Sequence, residues 1–514
     1  MAIVEYLQTV GGAPRKIALT NPASLEPLCE FECQSKKQVD AVVATARKAQ
    51  KQWGATPLKE RIQMMLKLRD LILEKQDEIV ASIMRETGKP AQDALMMEVF
   101  SACSFISYWC KQAPKTLKDE KMRAPGIMGF EKKVHLIYKP LGVVAVIAPW
   151  NGPFLLVANP CVQAMLAGNA VVAKGSEVTP QSSKLFAALC LEVGIPEGVC
   201  NVVIGDGLTG SALTTADINK VSFTGSVATG KKVAAACAEK LIPCSLELGG
   251  KDAFIVCADA DLDKAAHGAV WGGFVNTGHV CCAVERVYVE APVYDAFVGK
   301  VTVLAKSIRQ GQQHGINEDL GAVFWDRQLA LMEKQVEDAK SRGAKALSGG
   351  ERNTDLKGLY YPATIIVDVP EDADLMTKET FGPILPIIKV KDVEEAIAKA
   401  NKSSYGLHGS VWTNDEAKGL EIAKRIETGC MAVNDIGIMY GVPNAPYGGI
   451  KESGVGSVNG RTALRDYSQA MPIVVGPYRG IEGGYPYSQE KYDQMKKLMN
   501  FLWKNPVGKF LFGP

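Results

Sequence analysis

Five histidines in 514 residues, at positions 135, 267, 279, 314 and 408, are too few and too far apart to build a histidine-based metal site. None of the 13 cysteines stands in a CxxC pair, so thiolate metal spacing is missing too, and metal catalysis drops out of the reading. The GxSxG elbow of serine hydrolases does not occur. No apolar run approaches the ~20 residues that a bilayer-spanning helix needs. The longest, Leu141 to Trp150, is about half of that, and Asn159 and Pro160 interrupt the apolar residues after it. Charge of either sign is not in excess: 58 Lys and Arg face 56 Asp and Glu, a formal +2, which gives a nucleic-acid partner no support. An odd cysteine count, and a start with an early Glu5 and no apolar run of signal-peptide length, point to a reduced, cytoplasmic chain.

What is present is α/β rhythm on a scale beyond one compact core. The first 120 residues read mostly as helices: Val39, Val42, Ala46, Ala49 and Trp53 recur at helical spacing, and a second amphipathic run covers Glu60 to Glu86 before Gly88 and Pro90. "KVHLIYKPLG" (133–142) reads as a strand or hairpin arm. From 141 to 248 short apolar strands alternate with helices, which predicts a parallel sheet covered on both faces, with ligands at the carboxyl ends of its strands. A second α/β series begins near Lys251, with strands "DAFIVC", "VERVYVE", "YYPATIIVDV", "ILPIIKV", "GSVWT" and "CMAVN" and helices near 326–343 and 416–427.

Glycine loops fall at the strand ends. "IGDGLTG" sets Gly205, Gly207 and Gly210 in the GxGxxG pattern, but the acid expected about 20 residues on is missing, because the next strand ends in Phe223, Thr224 and Gly225. "VAKGSEVTP" ends the second strand with Lys174 and Glu177. "FTGSVATG" ends the fourth with Gly225, Ser226 and Gly230 opening a helix. An acid at a strand end accepts ribose hydroxyls and repels a 2'-phosphate, favouring NAD over NADP, and a helix N-terminus suits a pyrophosphate. Each feature alone is an ordinary turn or cap; together on one sheet they favour a nucleotide.

"NTGHVCCAVER" (276–286) places two cysteines side by side. A thiolate that attacks an aldehyde beside a hydride acceptor ends as a thioester, which water hydrolyses. That chemistry also needs oxyanion donors, a base and a nicotinamide. "APWNGP" offers Asn151, "LELGGK" offers Glu247 just beyond the last strand of the first series, and "ETFGP" offers Glu379 and Phe381.

Together with "ETGKP" (86–90), "VAKGSE", "FTGS", "FVNTGHVCCA" and "PYGGIKESG" (446–454), these segments make the chain resemble the NAD(P)-dependent aldehyde dehydrogenase superfamily from about residue 20 to about 470. The resemblance implies an α/β fold: a discontinuous Rossmann-type NAD-binding domain (1–120 and 141–248), an α/β catalytic domain (249–459) and a small β oligomerisation arm (121–140 and 460–480), followed by an amphipathic tail (481–514). It implies Cys281 as nucleophile, Glu247 as general base and Asn151 as oxyanion amide acting with the Cys281 N–H. Trp150, Lys174, Glu177, Gly205, Gly225, Ser226, Gly230, Glu379 and Phe381 are implied as contacts to the cofactor, NAD. Gly152 and Val280 are implied in the substrate tunnel, a small-molecule aldehyde as partner, and a homodimer or homotetramer as assembly. Cys282 reads as a small buried neighbour.

Two departures from the family pattern bear on function. His279 stands where a glutamine is common, and reads as a neutral imidazole filling the same space rather than one that tunes the thiol. Gly152 replaces a tunnel Phe or Tyr, which suggests a bulky aldehyde, aromatic or medium- to long-chain aliphatic. No arginine cluster announces a carboxylated substrate. Glu247 favours hydrolysis to a free acid over transfer to coenzyme A; a semialdehyde or acylating enzyme, and a non-catalytic binding or structural role, are the alternatives. In the tail, Tyr492, Met495, Met499 and Leu502 form an apolar stripe with Lys491, Lys496, Lys497 and Lys504 largely off it. The expectation is that the stripe packs on the body or on a partner subunit and covers the tunnel mouth; a peripheral membrane contact is the alternative.

Overall fold

Runs of Val and Ala that are buried almost throughout, such as Val143–Ile147 and Ala170–Lys174, leave no face for water and so become central strands of a sheet covered on both sides. Each such valine contributes roughly 1.5–3 kcal/mol relative to exposure. The computed structural model describes residues 4–7, 15–124, 132–311, 317–436, 438–476 and 485–512. His314, the last residues of the expected arm (477–480) and both ends of the expected tail (481–484 and 513–514) lie outside them.

The first sheet runs in the order Gly454–Val455, Cys244–Glu247, Lys220–Thr224, Val143–Ile147, Ala170–Lys174, Cys200–Val202. All neighbours are parallel except Gly454–Val455, which returns from late in the sequence to pair antiparallel with Cys244–Glu247. The chain builds outward from Val143–Ile147 on one side and then resumes on its other side with Lys220–Thr224. The loops leaving these two strands therefore diverge and open a crevice at their carboxyl ends. Helices Leu155–Leu166, Pro180–Glu192, Gly207–Thr215 and Val227–Glu239 make the crossovers.

The second sheet has the order Lys345–Ser348, Thr364–Val367, Ile384–Val390, Val284–Glu290, Asp252–Val256, Gly409–Trp412, Ala432–Val433, parallel apart from its antiparallel first pair. The chain passes from one sheet to the other through residues 248–251. A three-stranded antiparallel arm joins Glu120–Arg123, Lys133–Pro140 and Ser468–Val475.

Several expectations need correction. The first 120 residues are mostly helical, but they open with an antiparallel sheet, Val4–Leu7, Lys16–Thr20 and Pro27–Glu32, and the alternating burial of Lys16–Thr20 is too short to register against the longer helical periods after it. The run from Glu60 to Glu86 is two helices, Leu58–Glu74 and Gln76–Thr87, parted at Lys75. The edge strand Lys345–Ser348 carries no apolar run to announce it. Of the two expected coverings for the tail stripe, the body of the same chain is not one, since Tyr492, Met495 and Met499 are exposed and only Leu502 in helix Gln489–Lys504 is buried.

Candidate active site

Glu247 ends the last parallel strand of the first sheet, while Cys281 stands three residues ahead of Val284–Glu290 in the second. Glycine makes this junction possible. A Cβ on Gly250 would collide with the Cys281 carbonyl, and one on Gly249 with the Glu379 carboxylate. Asn276, Thr277 and Gly278 all adopt left-handed backbone angles (φ 55, 58 and 70°), which turns the chain sharply before the cysteine. The Asp93 carboxylate holds this turn by accepting from the Asn276 N–H at 3.0 Å.

A cavity of 270 Å³ gathers Asn151, Leu156, Leu248, Cys281, Glu379 and Phe381. It shares Pro149, Trp150, Thr224, Gly225, Ser226 and Trp325 with a cleft of 440 Å³ that also carries Lys174, Glu177, Gly207 and Gly210. The two together form one path along the carboxyl ends of the first sheet, from Lys174 and Glu177 to the cysteine. Ser226 caps helix Val227–Glu239 at the middle of that path, accepting from the Thr229 N–H. The Lys174 ammonium is buried, 3.8 Å from the Glu177 carboxylate. A helix N-terminus midway and a carboxylate at one end fit an extended dinucleotide, whose pyrophosphate Ser226 would hold.

Glu247 is 1% exposed, with the Cys281 thiol and the Thr224 hydroxyl as the polar groups beside its carboxylate. Burial raises its pKa to about 7, against smaller opposing contributions from Cys281 and Thr224. The Cys281 thiol is likewise held above its ordinary value by the adjoining Cys282 thiol, by burial and by Glu247. The Tyr447 hydroxyl lies 3.4 Å from Cys281 Sγ and works the other way, since a donor there favours the thiolate. Burial keeps that phenol protonated. The Asn151 amide donates to the His279 carbonyl at 2.9 Å.

Buried ion pairs hold these groups in place. Lys89 and Glu98, both fully buried, meet at 2.6 Å. The ammonium also donates to the Asn151 carbonyl, and the carboxylate accepts from the Phe154 and Leu155 N–H groups that open helix Leu155–Leu166. Glu98 reaches this position from a π-helical stretch, Ala94–Phe100. Lys251 and Glu285 form a second pair at 2.6 Å, and Glu285 accepts from the N–H groups of Thr380 and Phe381. That fixes the strained loop in which Phe381 has φ 52° and Glu379 accepts from the Gly250 N–H. Burial, with Glu285 nearby, raises Glu379 to about 8.

The remaining expected residues separate. Trp150 packs edge-on against His279 and Phe381, with centroids 5.0 and 5.3 Å away. His279 is fully buried in this aromatic cage and its pKa falls to about 3, so the ring is neutral, with neither nitrogen hydrogen-bonded. Gly205 and Gly230 do not line the dinucleotide cleft. A Cβ on Gly205 would strike the Thr209 hydroxyl, and one on Gly230 would come within 2.5 Å of Leu248, so both are packing glycines. Gly152 and Val280 do not line the smaller cavity either; Leu156, one turn beyond Gly152, does. Val280 packs instead in a cluster with Cys282, Leu407, Cys430 and Tyr447. Tyr447, Lys89, Lys251 and Glu285 went unassigned in sequence although each sits inside a quoted segment; Glu98 lies outside the motifs that carry the resemblance. Among the described residues no group of His, Cys, Asp and Glu is arranged to hold a metal ion, and no helix is long and apolar enough to cross a membrane.

Comparison with known proteins agrees with this geometry. Residues 9–473 match the model of the aldehyde dehydrogenase family. A Mycobacterium ulcerans protein with the provisional name succinate-semialdehyde dehydrogenase [NADP(+)] 2 is 36% identical over 87% of this chain and 86% of its own length. The 4,4'-diapolycopene aldehyde oxidase of a Methylomonas species is 33% identical over 95% of this chain and 91% of its own. The crystal structure of a Mycobacterium tuberculosis aldehyde dehydrogenase complexed with NAD+ superimposes with a TM-score of 0.86 at 33% identity, covering 92% of this chain and 97% of that one. Fold and site define an enzyme of the nicotinamide-dependent oxidoreductase class. The chain belongs to the aldehyde dehydrogenase family.

Proposed function

We propose that the protein oxidises an apolar, bulky aldehyde to the free carboxylic acid, with NAD+ preferred over NADP+. The observation that carries this reading is the meeting of Cys281 and Asn151 in the cavity where the dinucleotide cleft ends, with the buried Glu247 carboxylate against the Cys281 thiol. Cys281 loses its proton to solvent in the cavity, the Tyr447 hydroxyl stabilises the thiolate against the burial that raises its pKa, and Sγ attacks the carbonyl carbon. The developing oxyanion takes hydrogen bonds from the Asn151 amide and the Cys281 N–H. Glu379 would hold the nicotinamide ribose, and the dinucleotide would supply the acceptor for the hydride when bound. Glu247 then takes a proton from the water that opens the thioester.

Substrate class follows from the walls. Leu156, Leu248, Leu331, Trp150, Trp325 and Phe381 face the smaller cavity, and no Arg or Lys is among its described lining residues. This disfavours the carboxylate of a semialdehyde, the second reading, which the mycobacterial relative's name raises. For the cofactor, the Glu177 carboxylate suits ribose hydroxyls and repels a 2'-phosphate. The test is reduced-nicotinamide formation by purified protein, without coenzyme A, on decanal, benzaldehyde and succinate semialdehyde, with each dinucleotide in turn. The reading requires kcat/KM about tenfold or more higher for decanal or benzaldehyde than for the semialdehyde. A preference for the semialdehyde, or a requirement for coenzyme A, would overturn it.

A further inference from the structure

The segment after residue 484 folds on itself and leaves its apolar side chains in solvent. Helix Gln489–Lys504 is capped by Ser488, whose hydroxyl accepts from the Lys491 N–H, and a turn at Asn505 leads into a second helix, Pro506–Phe512. The helices meet backbone to backbone, because a Cβ on Gly508 would overlap the Phe501 carbonyl. This hairpin uses Leu502 as its buried contact. Tyr492, Met495, Met499 and Trp503 then form one exposed stripe at helical spacing, with Phe510 and Leu511 beside it on the second helix; Trp503 is 57% exposed and Phe510 88%. Contiguous apolar exposure of this kind marks a docking face.

Charge identifies the partner. Residues 485–512 hold five lysines (491, 496, 497, 504 and 509) against Glu490 and Asp493, more net positive charge than the whole chain's +2. Protein interfaces are depleted in lysine, and two copies of this segment would set like charges together. Lysines around an aromatic-rich apolar face match an anionic lipid surface instead: the rings enter the headgroup boundary and the ammonium groups meet phosphate. Helix Gln489–Lys504 has 16 residues, about 24 Å, too short and too charged to span. We propose that residues 485–512 form a peripheral membrane-binding hairpin that lies in the interface of an anionic bilayer. The inference is independent of which aldehyde the active site oxidises.

Flotation of the full-length protein with vesicles tests it. On phosphatidylcholine vesicles with roughly a third phosphatidylserine, the bound fraction should exceed that on phosphatidylcholine alone by about tenfold and fall as salt rises. Trp503→Ser with Phe510→Ser, and separately Lys496→Glu with Lys497→Glu, should each reduce binding about tenfold. Unchanged thermal unfolding would show that the body is intact. A full-length protein that stays with the soluble fraction, or that floats no better than a chain ending at residue 484, overturns the proposal. If it stays soluble and light scattering shows that the truncated chain loses subunits, the face is a contact between copies of the chain.

Discussion

Replacing Glu247 by Gln should slow turnover and stabilise the folded protein, and both effects come from one property of the site. Burial raises the Glu247 pKa from 4.5 to about 7. At ~1.36 kcal/mol per unit, holding the ionised carboxylate in the folded state costs about 3 kcal/mol. A raised carboxyl pKa contributes stability below the unfolded value that is lost as pH rises through the folded value. The penalty is thus absent near pH 4, grows between about 4.5 and 7, and is complete above 7. Glu247→Gln keeps the shape and removes the ionisation, so its stability relative to wild type should improve by about 3 kcal/mol between acid and mildly alkaline pH. Thermal unfolding of both proteins across that range measures this. In turnover, the loss of the base should lower kcat by roughly 10²–10⁴-fold, while rapid mixing still shows a burst of reduced nicotinamide stoichiometric with enzyme. Wild-type kcat should rise with pH through about 7 as the carboxylate forms. A Gln variant with wild-type kcat, or one that loses the burst along with turnover, would refute the assignment of Glu247 to hydrolysis.

Tyr447→Phe removes only the hydroxyl 3.4 Å from Cys281 Sγ; iodoacetamide labelling of Cys281 should shift to higher pH and kcat/KM should fall by about tenfold. Lys89→Met leaves Glu98 charged and unpaired in the core, which should cost about 3–5 kcal/mol in unfolding experiments, and adding Glu98→Gln should recover part of it. Gly249→Ala drives a methyl group into the Glu379 carboxylate; calorimetry should show the dissociation constant for NAD+ raised about tenfold or more, with the fold intact by circular dichroism.

The parallel strands were legible in the sequence because burial on both faces leaves an uninterrupted apolar run, as in Val143–Ile147 and Ala170–Lys174. Short strands exposed on one side, such as Pro27–Glu32 and Lys345–Ser348, lack that run. Cys281, Asn151 and Glu379 were legible because each sits at a strand end or turn in a recognisable motif, and the structure brings them to one cavity. Glycine was the ambiguous signal: a glycine that a ligand requires and one that a neighbouring side chain requires read alike, and Gly205 and Gly230 are of the second kind. Glu98 was invisible for a different reason. Its role depends on a π-helical turn and on a helix N-terminus more than fifty residues away, neither of which its neighbours encode.

Mass spectrometry of enzyme quenched during turnover tests most directly whether Cys281 is the nucleophile. Glu247→Gln mixed with NAD+ and decanal should carry the decanoyl group as a thioester on the peptide containing Cys281, and the double variant with Cys281→Ala should carry none and form no reduced nicotinamide. Acylation at Cys282, or turnover that survives Cys281→Ala, would contradict the account.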